Sequence, residues 1–219
     1  MLHEFRNRNL LSLAAVVALA ITAAACQPTT TLEQGWTTPH ANQPRMTKVV
    51  TVFSSDSVAL RRSGEDQLAR QLAARGVVAT PGYAVMSDAE AHVLASNIGK
   101  QNPRELEPIT SRLREMGYDG VVTMQIVDRE QNLEYAPGTY YGGWGYPGYW
   151  GYWDSAYYWP GYAYTEMTYR LETNAYSLRN NQLVWAGLVR SIDPNNAREL
   201  IDETSHVVAG ELTKRGLAG

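Results

Sequence analysis

The 219-residue chain contains a single cysteine, so no disulfide can form within it. Its four histidines, His3, His40, His92 and His206, lie far apart, and the clustered ligands that a metal site needs are missing. Charged residues make up only 19% of the chain and the formal net charge is −3, with acids and bases interspersed. No basic stripe follows a phosphate backbone, which argues against nucleic acid as a partner. There is no G-x-S-x-G elbow, no phosphate loop and no glycine triad after a strand. Glu65-Asp66 and Glu203 are expected on the solvated faces of amphipathic helices. Arg61-Arg62 ahead of Glu65-Asp66 reads as surface ion pairs at helical spacing. No cofactor, metal or catalytic residue is expected. The alternative, an enzyme acting on cell-wall glycan, requires a carboxylate pair that no motif here marks.

Long apolar runs are also missing, with one exception. After Arg6 and Arg8, "LLSLAAVVALAITAAA" runs sixteen uncharged residues, 10–25. As a helix it spans roughly 24 Å, short of a hydrocarbon core of about 30 Å. A basic start, a short apolar middle and a small-residue end describe a secretory signal peptide, residues 1–25. Cys26 follows Ala23-Ala24-Ala25 directly. This arrangement resembles a bacterial lipoprotein box, with Ala23 where leucine is usual, and implies that Cys26 is lipidated. Ordinary cleavage after an Ala-x-Ala pattern, leaving a free thiol, is the alternative. Lipidation implies a membrane partner, and Gln27 in place of aspartate after the cysteine favours the periplasmic side of the outer membrane. Residues 27–45, "QPTTTLEQGWTTPHANQPR", are poor in apolar period, so 26–45 reads as a flexible tether whose ends average roughly 25 Å apart.

A single mixed α/β domain is expected over residues 46–216. Residues 47–55 are β-branched and apolar on both faces, the pattern of a buried strand. Leu60, Leu68 and Leu72, with Ala69 and Ala73 beside them, make one helical stripe that Gly76 ends. Gly64 falls on its packed side. "VVATPGYAVM" reads as an edge strand because of Pro81. "SDAEAHVLASNIGKQ" reads as a helix or a partly ordered crossover, and "NPRELEPITSRLREMG" as a helix that Pro108 could also begin. "DGVVTMQIVD" belongs at the centre of the sheet. This βαβαβ order predicts parallel pairing. A hairpin then turns at Asn180-Asn181, setting Tyr176 opposite Trp185 and Leu171, Thr173 and Ala175 on the face of Ala186 and Leu188. A last helix, capped by Asp193 or Asn195, runs to Arg215 with Leu200, Val208 and Leu212 inward and Gly216 as its stop. The sum is about five strands with three or four helices.

One stretch departs from all of this. In "TYYGGWGYPGYWGYWDSAYYWPGYAY", residues 139–164, 13 of 26 residues are aromatic and only Asp154 is charged. Its glycines and prolines exclude a membrane-spanning helix. The insert, taken as residues 134–164, is open to three readings. It is a loop packed on itself, a contact surface for glycan rings or another envelope protein, or a membrane-interface segment. As a contact surface it uses Tyr140, Tyr141, Trp144, Tyr146, Tyr149, Trp150, Tyr152, Trp153, Tyr157, Tyr158, Trp159 and Tyr162.

Taken together, "RRSGEDQLARQLAARGVVATPGYAVM", "DGVVTMQIVD", the aromatic insert and "LETNAYSLRNNQLVWAG" resemble a family of bacterial envelope lipoproteins carrying a domain of unknown function. The βαβ half is more distantly similar to the amino-terminal domain of the translocation protein TolB, to lipoproteins that activate peptidoglycan synthases and to the curli secretion lipoprotein. The resemblance implies a protein acting by contact, with peptidoglycan or another envelope protein as partner, and it carries no catalytic residues over.

Overall fold

The computed structural model describes residues 29–39, 45–97, 103–136 and 162–219. They form a mixed six-stranded sheet, one strand more than expected, in the order β1-β6-β5-β4-β2-β3. The strands are β1 (Thr30–Thr37), β2 (Lys48–Ser54), β3 (Val78–Pro81), β4 (Gly120–Ala136), β5 (Tyr162–Ser177) and β6 (Gln182–Ile192). The helices are α1 (Val58–Ala73), α2 (Asp88–Asn97), α3 (Pro103–Glu115) and α4 (Ala197–Lys214).

The βαβαβ half follows from the sequence. β2 lies between β3 and β4, parallel to both. It sends Val49 and Phe53 into the core under α1 and α4, and Val50 and Val52 into the core under α2 and α3. Pro81 ends the edge strand β3, where its missing N–H costs no inner ladder bond. Ser57 caps α1, its side chain accepting from the Leu60 N–H, whereas Ala73 at the far end faces solvent. Ser87 and Glu90 form a reciprocal capping box at the start of α2. The Arg112 guanidinium first, and Ser87 after it, pull the Glu90 carboxyl down to about 2. Pro108 lies inside α3, which begins at Pro103 instead.

Asp119 fastens this half to the hairpin. Its buried carboxylate accepts from the Thr47 and Lys48 N–H groups at 2.9 and 3.0 Å and from Thr47 Oγ1 at 2.8 Å. Arg179 in the β5–β6 turn donates to it at 2.9 Å.

The hairpin differs from expectation in register. The turn is four residues, 178–181, closed by Ser177↔Gln182, with Asn181 at φ 52°. A bulge between Ala175 and Tyr176 sets Ala175 opposite Trp185 and Tyr176 opposite Leu183. Leu171, Thr173 and Ala175 therefore share a face with Val189, Gly187 and Trp185, not with Leu188 and Ala186. Trp185 is fully buried under α1 and α4, and its ring lies over Gly187, where a Cβ would collide with it. Asn196 caps α4, accepting from the Arg198 and Glu199 N–H groups, in place of Asp193 or Asn195.

Two further expectations are corrected. Residues 30–37, taken as part of a flexible tether, form β1 and pair antiparallel with β6. Glu65, taken as a solvated residue, is fully buried, and its Oε2 accepts from the Tyr83 N–H at 2.8 Å. Arg61 pairs with Asp88 at 2.6 Å, and Asp66 accepts from the Tyr83 hydroxyl, so the charged cluster knits α1 to its neighbours instead of pairing along the surface.

Gly64 presses on the fully buried Phe53, and an added Cβ would stand 2.6 Å from the ring. Gly64→Ala is expected to cost about 1–3 kcal/mol of unfolding free energy, read from denaturant melts. Burial raises the Glu65 carboxyl, with the Tyr83 N–H opposing it. A raised folded pKa means that this site favours folding below the ordinary carboxyl pKa and loses that contribution as pH rises through the folded value. Glu65→Gln is expected to raise the melting temperature at pH 7 and to leave it unchanged at pH 4.

Candidate functional site

β4 and β5 are much longer than the sheet that holds them. β4 last pairs with β2 at Gln125↔Ser54, and β6 last pairs with β5 at Thr168↔Ile192. Asp193, at φ 46°, adds one more tie, its backbone N–H donating to Met167 O and its side chain accepting from the Met167 N–H. Beyond that row only β4 and β5 remain, paired from Asn132↔Glu166 to Ala136↔Tyr162. These five rungs make a two-stranded ribbon extending about 17 Å past the sheet. The sequence segment expected to end near residue 128 as a core strand thus continues to Ala136. The alternation "LEYA", residues 133–136, with no glycine or proline between it and the core strand, is the signal that marks it.

The ribbon has two unlike sides. Directly opposed residues of an antiparallel pair share a side. One side carries Leu133 and Tyr135, 77% and 66% exposed, opposite Thr165 and Ala163, with Met167 next to them. It continues the face that packs on α1 and α4, through Tyr169, over which Arg129 lies. The other side carries Asp128, Glu130, Glu134 and Glu166, with Tyr164 opposite Glu134. Three of the ten large exposed apolar residues among those described, Leu133, Tyr135 and Tyr164, sit on this arm, and Ile126 and Val127 lie at the bulge below it. That concentration distinguishes the arm from the rest of the surface, where exposed apolar residues are scattered.

Arg170 holds the foot of the ribbon. It contacts Asp128 at 2.7 Å and Glu130 at 3.0 Å on β4, and Glu33 at 3.0 Å in the bulge of β1. These carboxylates, Glu130 foremost, hold its guanidinium firmly protonated. Three strands are joined through one side chain.

Of the residues expected to form the contact surface, Tyr162 opens β5 opposite Ala136. The others, Tyr140, Tyr141, Trp144, Tyr146, Tyr149, Trp150, Tyr152, Trp153, Tyr157, Tyr158 and Trp159, lie outside the described residues, as does Cys26. The flanks of the insert, 134–136 and 162–164, are strand.

Two clefts lie elsewhere. One, of about 340 Å³, is on the side of β1, β6 and β5 that faces away from α1 and α4, lined by Trp36, Glu172, Ala186 and Leu188. The other, of about 440 Å³, lies between α1, α4 and the start of β1. There Gln71 donates to Asp202 at 3.1 Å, Arg75 meets His206 at 3.3 Å, and Thr30 donates to Glu203. Glu203 thus holds the start of β1 instead of standing free in solvent. Among the described residues no group of three or more acidic, histidine or cysteine side chains could hold a metal ion. No helix among them is long and apolar enough to cross a membrane.

No family model and no curated protein matches the chain. Among solved structures it is similar to the PelC dodecamer protein from Paraburkholderia phytofirmans, at 13% identity over 81% of this chain and 96% of that one, with a TM-score of 0.40. It is similar to lipoprotein GNA1162 from Neisseria meningitidis at 14% identity, covering 77% and 99%, with a TM-score of 0.38. It is also similar to hypothetical protein CT253 from Chlamydia trachomatis at 10% identity, covering 80% and 94%, with a TM-score of 0.37. Likeness of this degree assigns no activity.

Arg170→Ala leaves three carboxylates facing one another at the foot of the ribbon. The variant is expected to melt lower than the parent in dilute buffer, with the gap narrowing as salt is added. A gap independent of ionic strength would mean that packing, not charge, supplies the tie.

Proposed function

We propose that the chain is a lipid-anchored protein of the cell envelope that works by binding, not catalysis. Cys26 is the acylated residue, and the aromatic segment following β4 is the contact surface. The observation that carries this reading is the ribbon. The ladder holds Ala136 and Tyr162 side by side, and among the described residues no helix packs on that end of it. A segment with half its residues aromatic is a costly thing to hold in water unless it meets something there. Tyrosine and tryptophan suit such a meeting, since each offers a large rigid face and a polar tip. Peptidoglycan or a second envelope protein is the partner class on this reading, with the outer membrane as the site of anchoring.

Two measurements test it. Labelled palmitate is expected to enter the native chain in cells and not Cys26→Ala, and label retained by the variant defeats the assignment of the anchor. A photocrosslinker placed at Tyr164, just outside the aromatic segment, is expected to capture one envelope component, and that capture is expected to be lost when residues 139–161 are deleted. Capture unchanged by the deletion defeats the contact surface.

A further inference from the structure

The start of β1 and the free end of the ribbon lie at the same end of the sheet. β1 begins with Thr30↔Ser191, and the Ile192 N–H donates to Thr29 O at 3.1 Å. β5 crosses the same rows at Tyr169↔Ser191 and Thr168↔Ile192. Because β1 and β5 both run antiparallel to β6, the chain enters the sheet from the side toward which the ribbon projects. From Thr29, the first described residue, Cys26 is three residues away, a reach of at most about 11 Å. From the Thr168 row to Tyr162 the ribbon extends about 20 Å. An acylated Cys26 therefore draws the ribbon to the bilayer, whichever path the three linking residues take.

From this geometry we infer that the side of the ribbon bearing Leu133, Tyr135, Ala163 and Met167 docks on the lipid surface, with Glu134 and Glu166 turned to water. This inference rests on the anchored reading above and adds a second, reversible membrane contact to the covalent one. Among the described residues no core covers either side of these five rungs, and a bare two-stranded ribbon is marginal in water. Lying in the interface supplies the missing apolar layer, and tyrosine at the headgroup level keeps its hydroxyl hydrated. Leu133, Tyr135 and Met167 lie on one side with the foot cation Arg129, and the carboxylates lie on the other, with Tyr164 among them. Several acyl chains on Cys26 anchor the protein stably but leave the body free to turn, and a protein-borne contact at the same end fixes how the body sits on the surface. The cleft lined by Trp36 and Glu172 then opens sideways along the sheet, away from α1 and α4.

The test uses residues 26–219, which include every described residue, with Cys26→Ser so that no acyl chain contributes. The probe is vesicles of phosphatidylethanolamine and phosphatidylglycerol, three to one, in a flotation assay. The chain is expected to float with the vesicles and to remain bound at about 0.5 M salt, since burial rather than charge holds it. Leu133→Glu with Tyr135→Glu is expected to lower the partition coefficient about tenfold or more at an unchanged melting temperature. A polarity-sensitive dye on Leu133→Cys is expected to shift blue on binding, and the same dye on Glu134→Cys is not. Absence of vesicle binding overturns the inference, as do equal shifts at the two positions. A dimer that dissociates on Leu133→Glu, with no vesicle binding, assigns this side to a second copy and overturns it too. Palmitate labelling of the native chain is untouched by any of these results, so failure here is distinct from failure of the anchor.

Discussion

The β4–β5 ladder is clamped in a core at one end and, among the described residues, supported by its own pairing alone at the other. At the clamped end, Val122 and Met124 lie under α1 and α4 while Val121 lies under α2 and α3. Past Gln125 no β2 remains beside β4, and past Met167 no β6 remains beside β5. The features of the ribbon follow from this imbalance. The bulge between Ile126 and Asp128 marks the place where β4 leaves the core, and bulges there raise local twist. Arg170 gathers carboxylates from β4 and β1 at the same level, fixing the direction in which the free part leaves.

What the sequence made legible is the half governed by local pattern. Apolar residues on both faces located β2 and the inner part of β4, and the leucine stripe located α1. Pro81 marked an edge, and it sits on one. These signals succeed because burial on both faces, or on one helical stripe, leaves the same residues no other stable arrangement. The failures share a cause. β1 is read as a tether because "TTLEQGWT" has no apolar alternation. Its outer positions are exposed at the sheet edge, and its pairing partner lies about 150 to 160 residues away in sequence. The run of threonines is a weak strand signal that polarity outweighs. The hairpin register slips because a bulge is invisible to a period-two count. One extra residue on β6, Val184, opposite the Ala175–Tyr176 step, moves Trp185 from a cross-strand pair with Tyr176 into the α1–α4 core. Glu65 is read as solvated because its helical position is next to the stripe and its charge argues for water. Burial is tolerated because the Tyr83 N–H meets one carboxylate oxygen.

Of the site itself, the aromatic segment is plain in the sequence and its platform is not. The resemblance to envelope lipoproteins rests partly on "LVWAG", and the structure gives that motif a packing role: Trp185 lies flat over Gly187, the one residue that leaves room for it. Such a motif speaks for a fold and is silent on activity. The ribbon, by contrast, is written in "LEYA" and "YAYTEMTYR", two stretches whose apolar and acidic sides are apparent only once Leu133 is known to face Thr165.

The sheet is sealed by the two ends of the described chain. Thr30 pairs across to Ser191, and Met46 bridges to Ala218 while its N–H donates to Leu217 O. Such pairings demand the largest loop closures in the molecule, and closures of that span are late and slow. A chain emerging from a ribosome or a translocon amino end first has β1 in hand long before β6 exists to receive it. The first strand made is thus among the last to be seated, and until then the β6 edge stands open to any extended peptide nearby.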